Sequence, residues 1–88
     1  MNDPVLVELE RARKLYPPMK SLEEGMWVIQ EEWEELKQET YKKPALRDWC
    51  HMRDELIQLE AMCRRLREDV IDSRILIAQI LDVSQLDS

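Results

Sequence analysis

Glycine is nearly absent from this chain: Gly25 is the only one in 88 residues, and phenylalanine does not occur at all. The sequence has no Gly-rich loop of the kind that cradles phosphates and no GxSxG turn that exposes a nucleophilic serine. Alternating apolar and polar runs, the mark of half-buried strands, are missing as well. No charge-free apolar run approaches the span of a bilayer and no signal-peptide pattern opens the chain, so the cytosol is the expected compartment. His51 is the one histidine, and the spaced CxxC and HxxxH pairs of zinc sites are lacking. Basic residues are outnumbered, 13 Lys and Arg against 19 Asp and Glu, for a net charge of −6. That balance argues against a nucleic-acid backbone or an anionic membrane as the main partner. Cys50 and Cys63 fall at or beside apolar positions and are expected to be buried free thiols rather than a disulfide or a metal pair.

What is present fits helices. The chain is 44% hydrophobic and 36% charged, with three Trp and five Met to fill a core. At this length one core is only marginally sufficient and oligomerisation is a common remedy. The expected fold is therefore all-α: one domain, a small bundle of three to four helices completed by oligomerisation into a homodimer or homotetramer. Asp3 and Pro4 make a helix start, with Pro17 and Pro18 as the stop, which predicts a first helix over about 4–16. Ser21 and Glu24 have the spacing of a capping box, which opens a second helix over 21–40. Gly25 inside it costs about 1 kcal/mol relative to Ala and hints at close packing against a neighbour. A third helix is predicted over 45–70, and a short fourth over 74–83, capped by Asp72 or Ser73, would cover the core with Ile75, Ala78, Ile80 and Leu81. Continuation of the third helix is the alternative, since no Pro or Gly forces a break. Leu86 to Ser88 are expected to fray.

Two apolar heptad series organise the middle of the chain. Met26, Ile29, Trp33 and Leu36 form one, and Trp49, Met52, Leu56, Leu59, Cys63, Leu66 and Val70 the other. Beside the first lie Glu32 and Glu35; beside the second lie Glu55 and Gln58. Residues three apart on a helix face the same way, so packing the two seams together would bring two oxygen-bearing pairs to one groove. Such a groove suits hard cations such as Mg²⁺ or Mn²⁺. Two carboxylates about 5 Å apart repel by roughly 3 kcal/mol at an effective dielectric near 20, but by less than about 1 in water. An enclosed pair calls for a cation, whereas an open pair is an ordinary solvated helix face. The line of the third helix that carries Glu55 and Gln58 continues to Arg65, which could meet a phosphate oxygen or could be a surface arginine.

The run from Tyr16 Pro17 Pro18 Met19 through Glu31 Glu32 Trp33 Glu34 Glu35 Leu36 to Glu55 Leu56 Ile57 Gln58 Leu59 resembles the MazG-like nucleotide pyrophosphohydrolases. The resemblance covers about residues 5–70 and leaves the last helix unmatched. That family pairs an EExxE segment with ExxD one helix later, on an all-α oligomeric fold, and hydrolyses nucleoside triphosphates to monophosphate and pyrophosphate with Mg²⁺. The resemblance implies that Glu32, Glu35, Glu55 and Gln58 hold the metal, with Mn²⁺ as the alternative ion, and that Glu31 or Glu34 accepts the proton of the attacking water. Arg65, with Lys42 or Lys43 from a neighbouring subunit, would offset charge on the leaving group. Trp27 is the tryptophan best placed to meet a ligand or partner, with Trp33 and Trp49 as further candidates for the walls of a base pocket. Gln58 departs from the family's Asp, and an amide offers an oxygen without a charge. Against this reading stand a non-catalytic helical interaction module and a degenerate relative that binds nucleotide without turnover.

Overall fold

A computed structural model describes residues 2–86 of the chain, with side-chain surroundings through Asp82. Three helices form the body, α1 (Pro4–Leu15), α2 (Leu22–Gln38) and α3 (Trp49–Leu66), and α3 runs on through a π-helical turn (Arg67–Ile71) into α4 (Asp72–Leu86). The described residues contain no strand. Local chemistry sets the starts. The Asp3 carboxylate accepts the Val5 amide at 2.9 Å, and the Ser21 hydroxyl accepts the Glu24 amide at 3.1 Å. Glu24 closes the capping exchange on the Lys20 amide rather than on Ser21 itself.

Between α2 and α3 the chain turns twice in 3-10 geometry, at Glu39–Tyr41 and Pro44–Leu46. The buried Glu39 carboxylate holds this corner, accepting the Asp48 amide at 2.7 Å and pairing with Lys42 at 3.0 Å. The third helix begins at Trp49 rather than near residue 45, because Asp48 caps it by accepting the His51 amide.

The core lies where α3 meets both other helices. Leu9 and Ala12 of α1, Met19 of the connection, and Ala61, Met62, Leu66 and Val70 of α3 and the π turn make one buried cluster, with Val28 and Ile29 of α2 packed against it. Gly25 permits the α2·α3 crossing: a Cβ built there would collide with Leu66 Cδ1 and stand 3.0 Å from its Cγ. The Tyr16–Lys20 connection is tied to α3 by charge-assisted bonds. Arg65 donates to the Pro17 carbonyl at 3.0 Å, Asp69 accepts the Met19 amide at 2.9 Å, and Arg13 pairs with Asp69 and Glu68.

Three expectations are corrected here. The two heptad seams meet only in part: Leu36, Leu66 and Val70 are buried and Ile29 packs against the core, but Met26, Trp33, Trp49 and Leu56 are exposed, and α3 also buries Glu55, Ala61, Met62 and Arg65. Since α3 must serve α1 and α2 together, its inward stripe is rotated from the series of largest side chains. Cys50 and Cys63 consequently lie exposed as free thiols, not buried. The fourth helix is no separate element covering the core, because its described side chains are all exposed and the helix is continuous with α3. Ser73 does not cap it; its hydroxyl donates back to the Asp69 carbonyl at 3.1 Å. Of the residues expected to fray, Leu86 is the last residue of α4, and Asp87 and Ser88 lie outside the described residues. No helix of the described residues is long and apolar enough to cross a membrane.

Candidate functional site

Rotation of the inward stripe carries Glu55 into the body, 8% exposed, opposite the α2 glutamates. One carboxylate oxygen from each of Glu32, Glu35 and Glu55 lies within 4.8 Å of the other two. Oε2 of Glu32 and Oε2 of Glu55 are both shut from solvent without a hydrogen-bond partner, an arrangement that costs free energy unless a proton or a cation satisfies it. The other oxygen of Glu55 faces His51 Nε2 at 3.3 Å.

The electrostatics follow from this crowding. Burial, and then the charges of Glu35 and Glu55, push the Glu32 carboxyl up to about 7. Near neutral pH, where an ordinary glutamate is fully ionised, this carboxyl is partly protonated. Three carboxylates around one point form an all-oxygen donor set, which fits a hard cation such as Mg²⁺ or Mn²⁺ and not a soft one. The orphaned oxygens of Glu32 and Glu55 are the donors such an ion would satisfy.

Beside the cluster a cleft of about 450 Å³ opens between the three body helices. Glu31, Glu32 and Gln58 line it together with Arg65 and Arg11, while Tyr16, Val28 and Met62 give it apolar wall. Arg65 is no surface arginine: it is 5% exposed, its guanidinium lies 5.9 Å from the Tyr16 ring centroid, and its Nε has no partner.

The remaining candidates lie elsewhere. Trp27, 76% exposed, shares a shallow surface of α2 with Glu31, Glu34 and Glu35. Trp33 and Trp49 are exposed and do not line the main cleft. Lys42 is engaged with Glu39 at the corner and Lys43 is exposed beside it, neither lining the cleft. Tyr16 and Arg11 were not singled out from the sequence. Tyr16 lies immediately before the two prolines and so reads as a helix end, and only the fold turns it over the line of α3 that ends in Arg65. The chain matches no family model, no curated protein and no solved structure with which it was compared.

Proposed function

We propose that this chain is a Mg²⁺-dependent nucleoside triphosphate pyrophosphohydrolase of the MazG-like type, cleaving its substrate to monophosphate and pyrophosphate. The observation that carries this reading is the convergence of Glu32, Glu35 and Glu55 from two helices beside a cleft that also holds guanidinium charge and an aromatic wall. An acid cluster alone repels phosphate, so it makes chemical sense as the seat of a cation with the triphosphate against it.

Glu32, Glu35 and Glu55, with the Gln58 amide oxygen, would hold the ion. When bound, it supplies positive charge against the phosphate oxygens and lowers the pKa of water. Glu31, which lines the cleft, is better placed than Glu34 to accept the proton as water attacks the α-phosphorus and the α–β bridging bond breaks. The Arg65 and Arg11 guanidinium groups offset charge on the departing pyrophosphate. Tyr16, Val28 and Met62 offer the base an apolar surface.

The test is pyrophosphate release by the full chain with Mg²⁺ across a panel of common and modified nucleoside triphosphates. Release is expected from at least one, falling at least about a hundredfold in Glu32→Gln and Glu55→Gln. Metal binding with no release from any nucleotide would sink the catalytic reading in favour of a relative that binds without turnover. Absence of any metal response would favour the helical interaction module.

A further inference from the structure

The acid cluster has a single nitrogen neighbour. Among the described residues no lysine or arginine pairs with Glu32, Glu35 or Glu55, whereas His51 Nε2 stands 3.3 Å from Glu55 Oε1. The two oxygens of Glu55 therefore differ: Oε1 has a donor at its side, and Oε2 is shut from solvent with no partner. Facing a carboxylate oxygen, Nε2 is the ring nitrogen that carries the hydrogen. A glutamate side chain turns about several bonds, so a hold on one oxygen fixes where the other points.

His51 is itself anchored. Its backbone amide donates to Asp48 Oδ1 at 3.0 Å, and the Asp48 amide donates to Glu39 Oε1 at 2.7 Å. Glu39 is buried at the corner between α2 and α3 and pairs with Lys42. The first turn of α3 is thus tied to the end of α2, and one turn further along Glu55 meets the imidazole on the same helix face.

The geometry points to His51 as a positioning residue: its Nε2–H holds Oε1 of Glu55 so that Oε2 is presented to the divalent cation of the acid cluster. It touches neither ion nor substrate and acts through Glu55 alone. Hydrogen bonds to ligating carboxylates orient them in this way at metal sites. An ordinary pair of side chains four apart on a helix would instead add slightly to helix stability and leave cation affinity untouched. The inference rests on the proposal that Glu32, Glu35 and Glu55 seat a cation.

Calorimetric titration of the full chain with Mg²⁺ alone, beside thermal melts of the metal-free chain, tests it. His51→Ala should weaken Mg²⁺ binding about tenfold or more, the usual effect of removing the partner of a ligating side chain. The metal-free Tm and far-UV helicity should not change, because the imidazole is more than half exposed. His51→Gln, whose amide N–H takes the place of Nε2–H, should recover most of the affinity. Nitrogen NMR of the metal-free parent should find hydrogen on Nε2 of its one imidazole. A His51→Ala chain that binds Mg²⁺ as tightly as the parent, a His51→Gln chain no better than His51→Ala, or hydrogen on Nδ1 alone would overturn the positioning role and leave the cation site standing. A parent chain that binds no Mg²⁺ would remove the site and this role with it.

Discussion

At the scale of single residues the account rests on Glu32, whose carboxyl is held near 7 by burial and by its acidic neighbours. The fold favours the protonated form in the absence of metal. The stability this provides is complete below the ordinary glutamate value of 4.5 and is lost as pH rises through about 7. Between pH 5.5 and 8 the metal-free chain should lose about 1 kcal/mol of stability from this group, after allowance for solvent screening of a half-exposed side chain. Denaturant titration at several pH values checks this; Glu32→Gln, an uncharged isostere, should flatten the profile, and an unchanged profile would contradict the assignment. Because a cation takes the proton's place, Mg²⁺ should raise Tm more at pH 8 than at pH 6. Arg65 acts differently. Its guanidinium donates to the Pro17 carbonyl and lies beside Tyr16 within the core, so Arg65→Met should cost about 2 to 3 kcal/mol of stability through the lost charge-assisted bond, measured by chemical denaturation. A stability within 0.5 kcal/mol of the parent, roughly the spread of ordinary surface changes, would remove the clamp from the account.

At the scale of elements, the α2·α3 crossing is set by the absence of a side chain at Gly25. Gly25→Ala gains about 1 kcal/mol of helix propensity, yet the new methyl would overlap Leu66 Cδ1. Overpacking of this kind costs about 1 to 3 kcal/mol, so the net change should be destabilising, and Leu66→Val in the same chain should recover part of it. A Gly25→Ala chain more stable than the parent would mean that the helices cross elsewhere. Helix starts were legible in the sequence, because Asp3, Ser21 and the residues they cap are neighbours in the chain and the hydrogen bonds need no tertiary partner. Helical spacing made the Glu32–Glu35 and Glu55–Gln58 pairs legible, whereas the meeting of Glu32, Glu35 and Glu55 depends on how α2 and α3 pack. The choice of α3's inward stripe was only partly legible, because apolar size points to Trp49 and Leu56, whereas the requirement to touch α1 and α2 at once adds Glu55, Met62 and Arg65 to the Leu66 and Val70 of the predicted series. A buried arginine and a buried glutamate have no signature in a hydropathy pattern. The π turn was hidden for a similar reason: Asp72 and Ser73 resemble caps, and it is the unbroken backbone through Arg67–Ile71 that decides for continuation of the third helix, the alternative reading of the sequence.

At the scale of the whole molecule the chain is a short three-helix body with a rod extending from it, 65 Å in its longest dimension against 29 and 20 Å in the others. The body concentrates its acidity. Seven Glu against one Lys lie between Ser21 and Thr40, a net of −6 that equals the charge of the whole chain, and four of those Glu, Glu24, Glu31, Glu32 and Glu35, line the cleft or cluster beside it. The two parts differ in surface: the body presents oxygen donors and a cleft, and the rod presents exposed apolar side chains. Phosphate approaching so negative a helix must be met by positive charge, and the arginines of the cleft are themselves engaged by Glu8 and by the Pro17 carbonyl. Binding of a divalent cation at Glu32, Glu35 and Glu55 is therefore the step on which the functional reading stands. The measurement that reaches it most directly is calorimetric titration of the metal-free chain with Mg²⁺ near pH 7, repeated in buffers of different ionisation enthalpy. The expected result is saturable binding accompanied by proton release, since Glu32 is partly protonated there, with both binding and proton release lost in Glu32→Gln. Binding that Glu32→Gln leaves intact, or no binding by the parent chain at millimolar Mg²⁺, a level chosen as roughly the weak end of protein divalent-cation sites, would contradict the account.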